Sequence, residues 1–502
     1  MSEHLAGRVG SALTWKTVQL AADQGISLLR FLILARLLTP ADFGLLAIAT
    51  VAVDLLIALT NVGLLPALIQ LRDPQRRHYD AAWTVASIRG FAIGGLLFIG
   101  AGPIAGFFGE PAATPVLQLI ALRPLISGLA SPRMADLERE LNFRALALMT
   151  AAATIVHTIV AVLLVPTLEV YAVVVGMLAS TALFTMLSYV VAPHRPRFQL
   201  DRASTDPILS FGRWVLATSI IGIVGEAGLR AVISRQLGAE ELGLYYVAVR
   251  FAFLPSGVVS EIVGSIAFPL HVRLRDALEK AAVAFSASLR ALVAILLPAY
   301  VILIVLAPAL TDEVLGPRWN GTAPVISLLA LAALVGVIAD AVFPMMEGQG
   351  RPERDTMMLG LRSVLVLILA WPLSATYGVT GAAAATLAAA VPVQIVAAAY
   401  ARSSVPRPFR GLGRVVLAAS IAGGTGAAIG LLVSTIGLPA ISAALTAAAI
   451  STALLWVLDR ILGLGLAELA VRLFPAAGRL LGIQPALIER TDPEHGGSEH
   501  FP

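Results

Sequence analysis

Stretches of roughly 20 consecutive apolar residues, enough to cross about 30 Å of hydrocarbon as a helix, recur along almost the whole chain. About fourteen such windows can be read, near 12–36, 43–70, 80–108, 114–132, 143–165, 168–192, 208–236, 242–269, 281–310, 322–346, 356–374, 377–401, 415–433 and 438–459. The connections are too short for a soluble domain, and lipid offers no hydrogen bonds to a bare backbone. The fold class that follows is an all-α polytopic membrane protein with about 14 transmembrane helices. Twelve is the alternative, because the last two windows are rich in Ala and Gly. With 58% of its 502 residues hydrophobic and 13% charged, the chain has more apolar surface than a soluble core of that length hides.

Charge in the connections orients the windows. Alternate connections hold Arg72, Arg76 and Arg77; Arg133, Arg139 and Arg144; Arg195, Arg197 and Arg202; Arg273, Arg275 and Lys280; Arg351 and Arg354; and Arg402, Arg407, Arg410 and Arg414. The intervening ones carry Asp42, Glu110, Glu169, Glu240, Glu241, Asp312 and Glu313 against Arg36, Arg235 and Arg318. Cytoplasmic loops collect Lys and Arg, so both termini of this multi-pass protein are expected in the cytoplasm. The scattered basic residues thus serve topology and not nucleic-acid binding. The first window contains Lys16, Asp23, Arg30 and Arg36, unlike a cleavable signal peptide. The absence of cysteine excludes disulfides, thiol nucleophiles and thiolate metal sites. After the last window, the amphipathic stretch Leu466–Leu481 suits the inner membrane surface, and the polar end Glu489–Pro502 suits disorder.

A short repeat links the ends of the first and seventh windows. Arg36-Leu37-Leu38-Thr39-Pro40-Ala41-Asp42-Phe43-Gly44 aligns with Arg235-Gln236-Leu237-Gly238-Ala239-Glu240-Glu241-Leu242-Gly243 at an offset of 199. Six windows separate the copies, so both have one orientation, as in parallel repeats related by an axis along the membrane normal. Residues 1–200 are then an N-lobe, 201–402 a C-lobe, 403–460 an extra helix pair and 461–502 a cytoplasmic tail. The loop motif itself (Arg36, Pro40, Asp42, Gly44, Arg235, Glu241 and Gly243) reads as structural. Proline suits a first helical turn, and a carboxylate suits a helix N-terminus.

Ionisable groups at membrane depth are costly and face a cavity or a partner. Lys16, Gln19, Asp23, Ser27 and Arg30 fall at steps of 3 and 4, one face of the first helix. That face reads either as cavity lining or as a set of interhelical pairs. Arg89, Arg123, Glu226, Arg230, Arg250, Asp340, Arg362 and the lone His157 interrupt other windows. Arginine binds phosphate through paired hydrogen bonds and stays ionised when desolvated. Arg30, Arg89, Arg123, Arg230 and Arg250 are therefore the candidate lining for an anionic group such as a pyrophosphate. Asp23, Glu226 and Asp340 are the candidate ion-coupling carboxylates, since a carboxylate in a partly dry cavity can titrate or hold a cation.

The segment Ala35–Gly44, followed by Asn61-Val62-Gly63-Leu64 and Ala67-Leu68-Ile69-Gln70, resembles the opening of the Wzx-type polysaccharide flippases, in their colanic-acid-exporter-like branch. Phe268-Pro269, Gly316-Pro317-Arg318-Trp319, Gly348–Pro352 and Gly378–Ala383 are looser echoes along the chain. These flippases share a superfamily with multidrug and toxic compound extrusion carriers. The resemblance implies two lobes, alternating access, and a sugar portion carried through a hydrophilic cavity while the polyprenyl tail stays in lipid.

The function expected is translocation of a polyprenyl-pyrophosphate-linked oligosaccharide repeat unit from the cytoplasmic to the periplasmic leaflet, for O-antigen, capsule or exopolysaccharide assembly. The alternatives are a cation-coupled multidrug or metabolite antiporter, and a non-transporting scaffold or transferase. Short outer loops speak against an enzyme, and no phosphate-binding Gly-Lys-Ser/Thr loop is present for ATP. No cofactor is expected; the drive is an ion gradient or the membrane potential. The expected partners are the lipid-linked oligosaccharide, membrane lipid and a polymerase or export complex, with no nucleic acid.

Overall fold

A computed structural model of the chain describes residues 3–60, 68–69, 74–140, 142–199, 202–274 and 277–466. Among these the regular structure is helical, with no strand. The order is α1 (Glu3–Leu37), α2 (Pro40–Leu59), α3 (Arg76–Phe108), the short α4 (Ala113–Ile120), α5 (Leu122–Gly128) and α6 (Met134–Arg139), then α7 (Phe143–Leu168) and α8 (Val170–Val191). There follow α9 (Arg202–Ala252), α10 (Leu254–Arg273), α11 (Leu278–Leu310), α12 (Thr322–Gly348), α13 (Pro352–Ser404), α14 (Leu412–Thr435) and α15 (Ala440–Leu462). Nine helical segments among the described residues are long and apolar enough to cross a membrane. The chain is an all-helical multi-pass membrane protein. The tail beyond Leu466, Asn61–Leu64, Ala67 and Gln70 lie outside the described residues.

Several windows share one continuous helix or divide over two. The fourth is split between α4 and α5 and the eighth between α9 and α10, the seventh runs on into the eighth in α9, and the eleventh and twelfth share α13. Each of these long helices is broken once at a glycine, Gly238 (φ 86°, ψ 176°) and Gly378 (φ 61°, ψ −145°). A positive φ costs glycine little, so each helix is interrupted and kinks there without a loop. At the start of α2, Thr39 caps the helix by accepting from Asp42 N at 3.3 Å, while Asp42 accepts from Thr39 N at 2.9 Å. Pro40 takes the first turn, where its missing N–H is not needed.

The chain divides into two compact units: Met1–Phe253 with Ala307–Val335 and Pro352–Val393, and Leu254–Leu306 with Gly336–Arg351 and Gln394–Pro502. In the first, the two copies of the loop motif pack against each other. A methyl added at Gly44 would lie 1.9 Å from the Ala239 carbonyl oxygen, and one at Gly243 1.7 Å from that of Pro40. Pro40 and Ala239 are repeat equivalents, as are Gly44 and Gly243, so the contacts are the reciprocal pair that a local two-fold axis generates. Hydrogen bonds repeat the exchange. Arg36 donates to the Val314 carbonyl at 2.6 Å and to that of Glu313, just beyond α11. Arg235 donates to the Phe107 carbonyl at 3.4 Å, at the end of α3. Each arginine thus clasps the end of the other copy's third long helix, where terminal carbonyls attract a cation. Trp319, fully buried, donates to the Ala35 carbonyl at 2.9 Å and meets Phe43 edge-on.

In the second unit, α14 and α15 touch through small residues. A methyl at Gly426 would lie 2.5 Å from the Ala447 carbonyl oxygen, and one at Gly430 2.9 Å from the Ala447 side chain. This backbone approach explains why these two windows are Ala/Gly-rich: in lipid, close packing substitutes for the hydrophobic effect as the force that joins helices.

Candidate functional site

Two cavities with charged residues in their linings lie within the first unit. One, of about 460 Å³, is lined by Asp23, Ser27 and Arg30 of α1, Arg123 of α5, and Thr154 and His157 of α7, among others. The i, i+4, i+7 spacing of the α1 residues puts all three on one face, as read from sequence. Asp23 accepts a hydrogen bond from Thr154 at 2.6 Å, and Arg30 donates to Ser27 at 3.3 Å. The other Arg30 terminal nitrogen, Nη1, is buried without a partner, as is His157 Nε2. Gln19, on the same face, donates to Thr150 at 3.1 Å. The Lys16 side chain lies outside what the structure describes.

The second cavity, of about 490 Å³, is lined by Glu226, Arg230, Tyr246, Arg250, Arg362 and Thr386, among others. Arg230 pairs with Glu226 and also donates to the Ala47 carbonyl of α2 at 2.9 Å. Its guanidinium stands 5.6 Å from the Tyr246 ring centre. Tyr245 OH and Thr386 Oγ1 are 3.2 Å apart. The two cavities are electrostatically joined. Arg30 feels Arg250 as well as Asp23, and Asp54 of α2 feels Arg123, Arg230 and Glu226.

Arg30, Arg123, Arg230 and Arg250 therefore stand around these two cavities. Arg89 lines neither; it donates to the Thr60 carbonyl at 3.3 Å, at the C-terminus of α2, a placement that helix polarity favours. Asp23 and Glu226 reach the cavities, one in each. Asp340 lies in the second unit and accepts from Ser260 at 2.9 Å. Arg36, Pro40, Asp42, Gly44, Arg235, Glu241 and Gly243 belong to the loops described above. Among the described residues, Glu226–Arg230 is the one ion pair formed by these arginines. Arg30, Arg123, Arg230, Arg250 and Arg362 outnumber Asp23, Asp54 and Glu226, so the region is electropositive.

Sequence reasoning passed over Tyr245, Tyr246 and Thr386 and gave Arg362 no role. A signal was present from the second half of α9 to the residue after it, where Leu242, Tyr245, Tyr246, Val249, Arg250 and Phe253 follow steps of 3 and 1. That pattern is one helical face, and the second cavity takes all six.

Comparisons agree with this architecture. Lipopolysaccharide biosynthesis protein WzxC of Escherichia coli (strain K12) is 24% identical over 348 residues, 68% of this chain and 70% of that protein. Succinoglycan biosynthesis transport protein ExoT of Rhizobium meliloti (strain 1021) is 28% identical over 343 residues, 67% of this chain and 68% of that one. Among solved structures, the lipid II flippase MurJ in an inward closed conformation superposes with a TM-score of 0.72 at 13% identity, covering 90% of this chain and 99% of MurJ. An inward-facing multidrug resistance MATE family transporter of the MOP superfamily gives 0.61 at 15% identity, covering 78% and 97%. Both likenesses are of fold. The family described as polysaccharide biosynthesis protein matches residues 33–324, more than half of the chain, and the chain belongs to that family.

Proposed function

We propose that the protein is a flippase that carries a polyprenyl-pyrophosphate-linked oligosaccharide repeat unit from the cytoplasmic to the periplasmic leaflet of the bacterial inner membrane by alternating access. The observation that carries this reading is the pair of arginine-lined cavities in a chain of the polysaccharide biosynthesis protein family. A buried arginine set favours an anion with several oxygens, and a pyrophosphate offers that, whereas a cation carrier would present carboxylates and aromatics. MurJ, whose fold this chain shares, is named a lipid II flippase, which supports a lipid-linked sugar as cargo.

In this reading the chain crosses the membrane fourteen times with both termini in the cytoplasm, and residues 1–200 and 201–402 are its two moving lobes. Arg30, Arg123, Arg230 and Arg250, joined by Arg362, receive the pyrophosphate as the sugar enters, with Arg89 at the end of α2 as an outlying charge. Asp23, Glu226 and Asp340 are the carboxylates through which an ion couples to transport. The clasped loops close the periplasmic side. Neither a nucleotide nor a covalent step on the sugar is involved, and a polymerase takes up the delivered unit.

The test is reconstitution into liposomes with a fluorescent polyprenyl-pyrophosphate oligosaccharide, scored by its accessibility on the opposite leaflet. Accelerated transfer that Arg30→Gln and Arg123→Gln abolish is the expected result. Unaccelerated transfer under an imposed pH gradient, Na⁺ gradient and potential, together with ion-driven dye efflux, would replace the flippase with an antiporter.

A further inference from the structure

Away from the two cavities just described, the second unit holds a third, of about 330 Å³, where α11, the turn before α14 and the chain after α15 meet. Its lining includes Arg290, Arg410 and Arg414 and no carboxylate. Val283, Ser286 and Arg290 come from one face of α11, at steps of 3 and 4. Arg290 is held in place: it donates to the Ser286 carbonyl at 3.2 Å and to the Leu464 carbonyl at 3.4 Å. Among the described residues none of the three arginines forms an ion pair. Gly411, in the left-handed conformation, begins α14 without any side-chain cap, so the uncapped N–H groups of a 24-residue helix add positive potential to the same spot.

Three cations beside a helix N-terminus repel one another, and an anion relieves that repulsion. The surroundings say what kind of anion. Val283, Leu417 and Ile461 are 66%, 59% and 71% exposed on the same three helices, an apolar flank suited to acyl chains. Trp456, with Arg460 over its ring at 4.2 Å, has the amphipathic character of residues at the head-group level. We propose that Arg290, Arg410 and Arg414 form a binding site for the phosphate of a lipid head group whose chains lie against α14 and α15. Under the topology given above this is the cytoplasmic leaflet, where basic pockets between helices hold anionic head groups. Two lipids carry this chemistry: a resident anionic phospholipid, and the polyprenyl pyrophosphate itself, waiting outside the transport cavity.

The test is native mass spectrometry of the full chain in detergent, titrated separately with phosphatidylglycerol and with a polyprenyl pyrophosphate. It compares the unaltered protein with Arg410→Gln/Arg414→Gln and with Arg402→Gln/Arg407→Gln, which removes the same charge from the same connection outside the cavity. Arg410 and Arg414 are exposed, and Arg290, which is hydrogen-bonded, is left alone so that the fold is kept. Loss of two charge-assisted contacts should weaken one or both lipids roughly tenfold or more in the first variant, with the second variant unchanged. Tighter binding of phosphatidylglycerol assigns the site to a resident lipid, and tighter binding of polyprenyl pyrophosphate assigns it to waiting cargo. Equal affinities in all three proteins, or equal loss in both variants, would overturn the site. Because no transport is measured, the result stands whether or not the chain flips its proposed cargo.

Discussion

The reciprocal packing of Gly44 and Gly243 makes a sharp demand on the two loops that carry them. A Cβ essentially never sits closer than about 3 Å to a carbonyl oxygen, yet Gly44→Ala would put one 1.9 Å from Ala239 and Gly243→Ala one 1.7 Å from Pro40. The loops must therefore part by more than about 1 Å. The same loops are tied by short bonds: Ala239 N to Glu110 at 2.7 Å, Arg36 to Val314 at 2.6 Å, and Trp319 to Ala35 at 2.9 Å. Losing one or two at about 1–3 kcal/mol each shifts the closed-to-open balance by roughly 1–6 kcal/mol, a factor of at least about 5. Because the chain has no cysteine, spin labels at Leu37→Cys and Glu240→Cys can report the separation directly. Both alanine variants should move the distance distribution to longer values and do so alike, since the two sites are equivalent. Gly102→Ala, where a methyl meets nothing within 4 Å, should leave it in place. An unchanged distribution in Gly44→Ala, or a shift in one alanine variant alone, would refute the reciprocal clasp.

Other expectations follow from the sites. Arg36→Ala and Arg235→Ala each remove a bond to the opposite copy's helix end, so the double variant should open the labelled distance more than either single change, read in the same experiment. Asp23→Asn keeps the shape of its site but loses the charge facing Arg30; if Asp23 couples an ion, transfer in liposomes should lose its gradient dependence while protein level and melting temperature hold. His194, outside the spans, has its Nε2 2.9 Å from an Asp80 carboxylate oxygen. Burial holds its pKa below the ordinary histidine value, Asp80 pulls it back up, and Arg133 and Arg76 push it down. The unfolded chain therefore binds the proton more readily, and stability should fall as pH drops through about 6.5. Melting temperatures at pH 8 and pH 5.5 should differ by less in His194→Gln, and an undiminished difference would remove His194 from that account.

How much of this was legible in the sequence depended on how local the cause was. The helices, the cap built from Thr39, Pro40 and Asp42, and the α1 face carrying Asp23, Ser27 and Arg30 are written in spacings of a few residues. Gly238 and Gly378 fall at or beside junctions read between windows, at 236–242 and 374–377; what the sequence did not show is that the helix runs on through each with a single positive-φ residue in place of a loop. Which arginines stand near which depends on packing across hundreds of residues, and so Arg123 and Arg30 share a cavity while Arg89 serves the end of α2. The α9 face with Tyr246 and Arg250 is legible in the spacing, but only its charges stand out in an apolar window. Arg410 and Arg414 looked like a topology signal, because a loop arginine that sets orientation and one that binds a ligand are the same residue in a linear string, and Arg290, inside the ninth window, was not singled out.

The clasp between repeats is symmetric, whereas the cavities within the same unit are not. Asp23, Arg30 and His157 fill one, and an ion pair beside aromatics fills the other. In the proposed flippase, a descendant that exchanges residues in a cavity to suit a different sugar leaves the paired glycines and crossed arginines untouched. One that alters a loop must alter its counterpart too, or the reciprocal contact fails on one side. Cargo preference can then drift by single substitutions while the closure is inherited as a matched pair, and chains with very different polysaccharides can share one way of shutting.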